Sequence, residues 1–239
     1  MRPRRGWLRP ENQAEARRIM KHFQEELEDL KNRLLEMGGL VESAVYRSVL
    51  AVVEKDTDQA QQVLKNEARI NQMEIEIDDL ATRLLALQQP MAVDLRFLTA
   101  AIKINNDLER MGDLAVNIVE RALALMPEAV IMPMIDIPQM AKQTESMVRK
   151  SLDSFVRGDA ELARTVLLSD DAVDDLRDTI YEELIRFMQK HPDNVRPGVN
   201  FMFVARNLER LADHATNIAE DVLFLVQGVD VRHHAEIRK

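Results

Sequence analysis

Asp107-Leu108-Glu109-Arg110-Met111-Gly112-Asp113 recurs in near copy as Asn207-Leu208-Glu209-Arg210-Leu211-Ala212-Asp213. In both stretches a glutamate and an aspartate stand four positions apart inside an apolar pattern of helical period. The two carboxylates therefore share one helix face. Like charges at that spacing destabilise a helix by roughly a few tenths of a kcal/mol. A chain that accepts this twice, at matching places, has a use for the carboxylates.

Outward from these stretches the duplication can be followed residue by residue. Met37 matches Met140, Glu42-Ser43 matches Glu145-Ser146, Ser48 matches Ser151, Asp56 matches Asp159, Ala60 matches Ala163, and Ile70-Asn71 matches Val173-Asp174, each pair 103 positions apart. Leu108-Glu109-Arg110, Asn117-Ile118 and Glu120 match Leu208-Glu209-Arg210, Asn217-Ile218 and Glu220 at a separation of 100. The second copy has thus lost three residues between His191 and Gly198.

Each copy reads as helices. Aromatic residues are 4% of the chain, glycine and proline number 7 and 8, and good helix formers fill the long segments. Leu27, Leu30, Leu34, Met37, Val41 and Ala44 form the seam of a first helix running to about Val53. Gly38-Gly39 interrupts it and predicts a kink or a close helix crossing. Asp56-Thr57-Asp58 supplies caps for a second helix with Val63, Ile70, Met73, Ile77, Leu80, Leu84 and Leu87 inward, ended by Gln88-Gln89-Pro90. The third, with proline in its first turn, buries Ile104, Leu108, Met111, Ala115, Ile118, Ala122 and Leu125. Gly112 and Ala212 match in being small, which points to close helix approach.

The expected fold is all-α, two tandem homologous three-helix bundles packed together. Residues 1–19 read as a basic, disordered extension, 20–126 as the first repeat and 127–138 as a proline-rich linker. Residues 139–228 read as the second repeat and 229–239, with His233-His234, as a polar tail.

The chain has no cysteine, which removes disulfides, zinc thiolates, iron–sulfur clusters and thiol nucleophiles. No apolar run approaches the ~20 residues of a membrane span. No signal-peptide core follows the basic start, so a cytoplasmic home is expected. A net charge of −9 speaks against nucleic acid as a partner and suits either a cation-collecting surface or plain solubility. Catalysis finds little support: there is no phosphate-binding glycine loop, no His-Glu-x-x-His, and no Glu-x-x-His of the kind di-iron oxidases need.

Rotation by ~100° per residue sets Glu109, Asp113 and Glu120 opposite Met111, with Asn106 and Asn117 flanking them. Glu209, Asp213, Asn217 and Glu220 stand likewise around Leu211. Each repeat is thus expected to carry an acidic stripe facing away from its own seam. Oxygen ligands suit magnesium, manganese, calcium, or iron where carboxylates bridge. Two carboxylates are too few for tight binding, so the neighbouring second helix has to add Asn71, Glu74 and Asp78, or Asp170, Asp174 and Asp178. The alternative is an ordinary surface in which Arg110 and Arg210 neutralise the acids, in a helical scaffold or chaperone-like protein that needs no metal. The histidines share no spacing and read as surface or tail residues, with His214 alone near a stripe.

Taken together, Ile70-Asn71-Gln72-Met73-Glu74-Ile75-Glu76-Ile77-Asp78, Gln89-Pro90, Asp94-Leu95-Arg96 and the two quoted stretches resemble the PhoU family of phosphate-transport accessory proteins. Gly228-Val229-Asp230-Val231-Arg232-His233 resembles that family's C-terminal end. The resemblance spans Met20 to His233 and leaves out the basic extension; Ala212, in place of a second glycine, departs from the first copy. It implies a tandem three-helix fold, commonly a homodimer, with multinuclear iron or other metal (zinc, manganese or magnesium) on Glu109, Asp113, Glu209 and Asp213, and the second-helix acids in support. It further implies a non-enzymatic negative regulator of the phosphate-starvation response. That regulator would bridge the ATPase of the high-affinity phosphate ABC transporter and a sensor histidine kinase, and meet the inner membrane only through those partners.

Overall fold

The structure is a computed structural model that describes residues 10–88, 90, 92–126, 135–229 and 231. Seven α-helices and one short 3₁₀ turn account for these residues: α1 (Pro10–Val53), α2 (Thr57–Gln88), α3 (Val93–Leu125), α4 (Ile137–Arg157), α5 (Ala160–Leu167), α6 (Asp170–Lys190) and α7 (Val195–Gln227), with the 3₁₀ turn at Pro192–Asn194. Helices α1, α2 and α3 pack on one another, as do α4, α5, α6 and α7. The two halves meet through α3 against α7 and α1 against α4. A continuous core of buried Leu, Ile, Val, Met and Ala runs through both.

The α3 and α7 helices run antiparallel, because the contacts climb one helix as they descend the other. Lys103 pairs with Asp221 at 2.7 Å, Asp107 with Asn217 at 3.2 Å, and Arg121 lies 5.1 Å over the Phe203 ring. Lys103 and Phe203 are repeat equivalents, as are Arg121 and Asp221. The ion pair and the cation–π contact therefore occupy the same place in the two halves. Buried Ser48 and Ser151, also equivalents, both donate to the carbonyl three residues back, Val45 and Val148.

The caps follow the sequence. Asp56 accepts from the amides of Asp58 and Gln59, and its counterpart Asp159 accepts from Leu162. The expected seam residues of the first repeat are buried except Leu87, which is 71% exposed at the end of α2. At Gly38-Gly39 α1 stays helical. A Cβ at Gly38 would lie 3.2 Å from Leu152 Cδ2, so this glycine permits the close crossing of α4. A Cβ at Gly112 would meet Ile70 Cγ2 at the same 3.2 Å, which brings α2 and α3 together.

Three expectations need correction. The second helix of the second repeat is broken into α5 and α6 around Leu168-Ser169. Ser169-Asp170-Asp171 stands where the first repeat has Asn66-Glu67-Ala68, and the Ser169 hydroxyl donates to Thr165 O at 2.7 Å. Such short polar side chains bond the backbone in competition with the helix and favour helix starts. Residues 10–19, read as part of an extension, are helical, in keeping with a run rich in Ala, Glu, Gln and Arg. Pro90 lies before α3, which begins at Val93, and not within its first turn. Residues 1–9, Gln89, most of the linker (127–134) and the tail with His233-His234 lie outside the described residues.

Candidate metal-binding faces

Glu109 and Asp113 project from α3 along the edge where it meets α2. Glu109 is only 23% exposed. Its carboxyl is pushed above the ordinary range by burial first, then by the charge of Asp113, against the pull of Arg110; Glu74 of α2 adds a further push and His214 a further pull. Glu74 is tied in place by its own backbone, since its carbonyl accepts from the amide of Asn105, a residue 1% exposed on α3. Arg110 approaches Glu109 at 3.4 Å and Asp113 at 3.7 Å from a mostly exposed position, too long for charge-assisted hydrogen bonds. Asn71 and Asp78 are exposed on α2, and among the described residues no contact ties them to this group.

The second face is built at the equivalent edge of α7 and α6 but is filled differently. The Arg177 guanidinium reaches Glu209 at 2.7 Å, Asp178 at 2.9 Å and Asp174 at 3.3 Å. The Asp213 carboxyl is raised to about 6, by burial first and then by the carboxylates of Glu209, Asp170 and Asp174, with His214 opposing. Asp213 itself reaches solvent, and the crowding of three carboxylates around it adds to the burial that raises its carboxyl. The α6 acids thus divide: Asp170 and Asp174 crowd Asp213, while Asp174 and Asp178 hold Arg177.

The expected outward stripes are therefore wedged edges. Glu109 and Glu209 turn toward the neighbouring α2 and α6, whereas Glu120, Asn106 and Asn117 stay exposed. The neutralising arginine of the second repeat is Arg177; Arg210 is exposed. His214 is no surface residue: it is 17% exposed at the α3–α7 contact, its Nδ1 2.7 Å from Asp107 Oδ1. Asp107 also accepts from Asn217 Nδ2, so one carboxylate knits the repeats together beside both acidic groups. Sequence reasoning gives no role to Arg177 or Asp107, and it sets His214 near a stripe but at the surface. The repeat register did carry a signal for the first, because Arg177 falls opposite Glu74.

Donor chemistry fits a hard or borderline cation, since oxygen ligands dominate both faces. The second already holds a cationic group, the Arg177 guanidinium. As placed, no three acidic or histidine side chains converge closely enough to enclose an ion among the described residues.

Comparisons with known proteins agree with this architecture. A family model described as the PhoU domain matches residues 34–122 and again 137–222. A phosphate-specific transport system accessory protein PhoU homolog of Pseudomonas aeruginosa is 42% identical over 216 residues, covering 90% of this chain and 89% of its own. One from Aquifex aeolicus is 38% identical, covering 90% and 96%. The crystal structure of PhoU from Pseudomonas aeruginosa superposes with a TM-score of 0.84 at 41% identity, covering 87% of this chain and all (100%) of its own. That of the phosphate transport system regulatory protein PhoU from Streptococcus pneumoniae gives 0.81 at 30% identity, over 87% and 99%. Two matched domains, one per bundle, and this similarity over nearly the whole fold place the chain in the PhoU family.

Proposed function

We propose that this protein is a cytoplasmic accessory regulator of phosphate-specific transport that holds down the phosphate-starvation response when phosphate is plentiful. The observation that carries the reading is 42% identity over 90% of the chain to a phosphate-specific transport accessory protein. Its partners would be the transporter's ATPase and a sensor histidine kinase, with a homodimer as its working form. No helix among the described residues is long and apolar enough to cross a membrane, which suits contact with the membrane through those partners.

In the same reading Glu74, Glu109 and Asp113 would hold metal in the first repeat, and Glu209, Asp213, Asp170 and Asp174 in the second. Iron is the first choice, and zinc, manganese or magnesium the others. Bound there, a cation supplies the positive charge that relieves carboxylate repulsion. The second reading, a scaffold independent of metal, draws on the Arg177 ion pairs, which neutralise one face without any ion. Elemental analysis of the purified protein separates the two.

The regulatory role is tested by deleting the gene and measuring a starvation-induced phosphatase at high phosphate. Constitutive expression, reversed by the intact gene, is expected. Unchanged repression would overturn the role.

A further inference from the structure

Lys55 stands at a position whose backbone suits glycine. It follows the end of α1 with φ at 55°, in the left-handed region that L side chains resist. In the 103-residue register its counterpart is Gly158, which caps α4 with φ at 62°. Both residues close the first helix of a repeat, and glycine takes this conformation freely. The first repeat therefore keeps a long cationic side chain where the local geometry opposes one. Such an outlier points to whatever the side chain reaches.

Lys55 lines a cavity of about 200 Å³ at the end of the molecule where α1 and α3 finish and α4 and α7 begin. Val52, Leu125, Ile135, Ile137 and Phe201 form much of the remaining wall. The last four are each no more than 9% exposed, so the floor is apolar and fixed. Lys55 is exposed, which sets its charge at the mouth, and among the described residues no carboxylate forms an ion pair with it. An apolar cavity of ~150 Å³ holds a benzene-sized molecule in place of water, so this one has room for an alkyl chain of about six to eight carbons. Hydrocarbon within and one cation at the rim fit a ligand with an apolar tail and an anionic head.

We propose that this cavity binds a medium-chain acyl carboxylate, its alkyl chain lying among Ile135, Ile137 and Phe201 and its carboxylate paired with the Lys55 ammonium. The ordinary role of a lysine past a helix end, complementing the terminal carbonyls, is separable because it requires no ligand.

The test is a methyl NMR titration of the full-length protein with octanoate, read against octan-1-ol and octylammonium. Octanoate is expected to give saturable shifts centred on the methyls of Val52, Leu125, Ile135 and Ile137, with octan-1-ol binding more weakly and octylammonium most weakly. Lys55→Gly restores the residue this backbone prefers, so its fold is expected to hold with an equal or higher melting temperature. Its affinity for octanoate is expected to fall about fivefold while that for octan-1-ol is unchanged. Val53→Phe, at a wall position 43% exposed, is expected to weaken all three ligands by crowding the cavity. Absence of shifts at those methyls, octylammonium binding as tightly as octanoate, equal octanoate affinity in wild type and Lys55→Gly, or octanoate binding untouched by Val53→Phe overturns the proposal.

Discussion

Replacing Asp213 with asparagine tests the electrostatics of the second face. In the metal-free protein the Asp213 carboxyl is raised from 3.8 to about 6. The folded state therefore binds that proton more tightly than the unfolded chain. Between pH of about 4 and about 6 stability falls as pH rises, and above that window the full penalty persists. At face value a shift of about two units is worth ~3 kcal/mol. Asp213 is exposed at the surface, so solvent screening reduces this to ~1 kcal/mol. Asp213→Asn keeps the shape and removes the charge. It is expected to raise the melting temperature of chelator-treated protein by about 2 to 4 °C at pH 8 and by almost nothing at pH 4, with the gain shrinking as salt is added. Differential scanning calorimetry at the two pH values reads this directly. A variant less stable than wild type at pH 8, or an equal gain at both pH values, is incompatible with a raised Asp213 carboxyl.

Other substitutions probe the joints between elements. Lys103→Met strips the ammonium from Asp221, which is 7% exposed at 2.7 Å. Urea unfolding is expected to show a loss of about 2 to 3 kcal/mol, largely recovered when Asp221→Leu is added. Gly112→Val forces methyl groups toward Ile70 Cγ2, already 3.2 Å from a Cβ at that position. Its expected cost in the same assay is about 1 to 3 kcal/mol. Asp159→Ala removes the bond to the Leu162 amide. Hydrogen exchange there is expected to quicken as α5 loses about 1 kcal/mol of capping.

The fold was legible because its signals are local and duplicated. Helical period located Leu30, Leu34 and Met37 in the first core, Asp56 and Asp159 announced their own caps, and the repeat register tied the halves together. The break between α5 and α6 was also written in Ser169-Asp170-Asp171, but it competed with an apolar pattern that continues through Val173 and Ile180. The site was legible only by half. Sequence spacing brings Glu109 beside Asp113, and it cannot show that α2 and α6 press against them or that a guanidinium from one turn along α6 occupies the second face. Neither could spacing bring His214 to Asp107, since their contact depends on how α3 and α7 cross. Rotation about the α7 seam alone points Glu209 outward, whereas α6 packs along that edge and brings Arg177 to it.

A role of the acidic faces in phosphate regulation is measurable at high phosphate in a strain lacking the native gene. The measurement is expression of a starvation-induced phosphatase when that strain carries Glu109→Gln with Glu209→Gln, at wild-type protein levels. Expression close to that of the deletion is the expected result. Repression as complete as with the unaltered protein would leave the carboxylates as no more than surface.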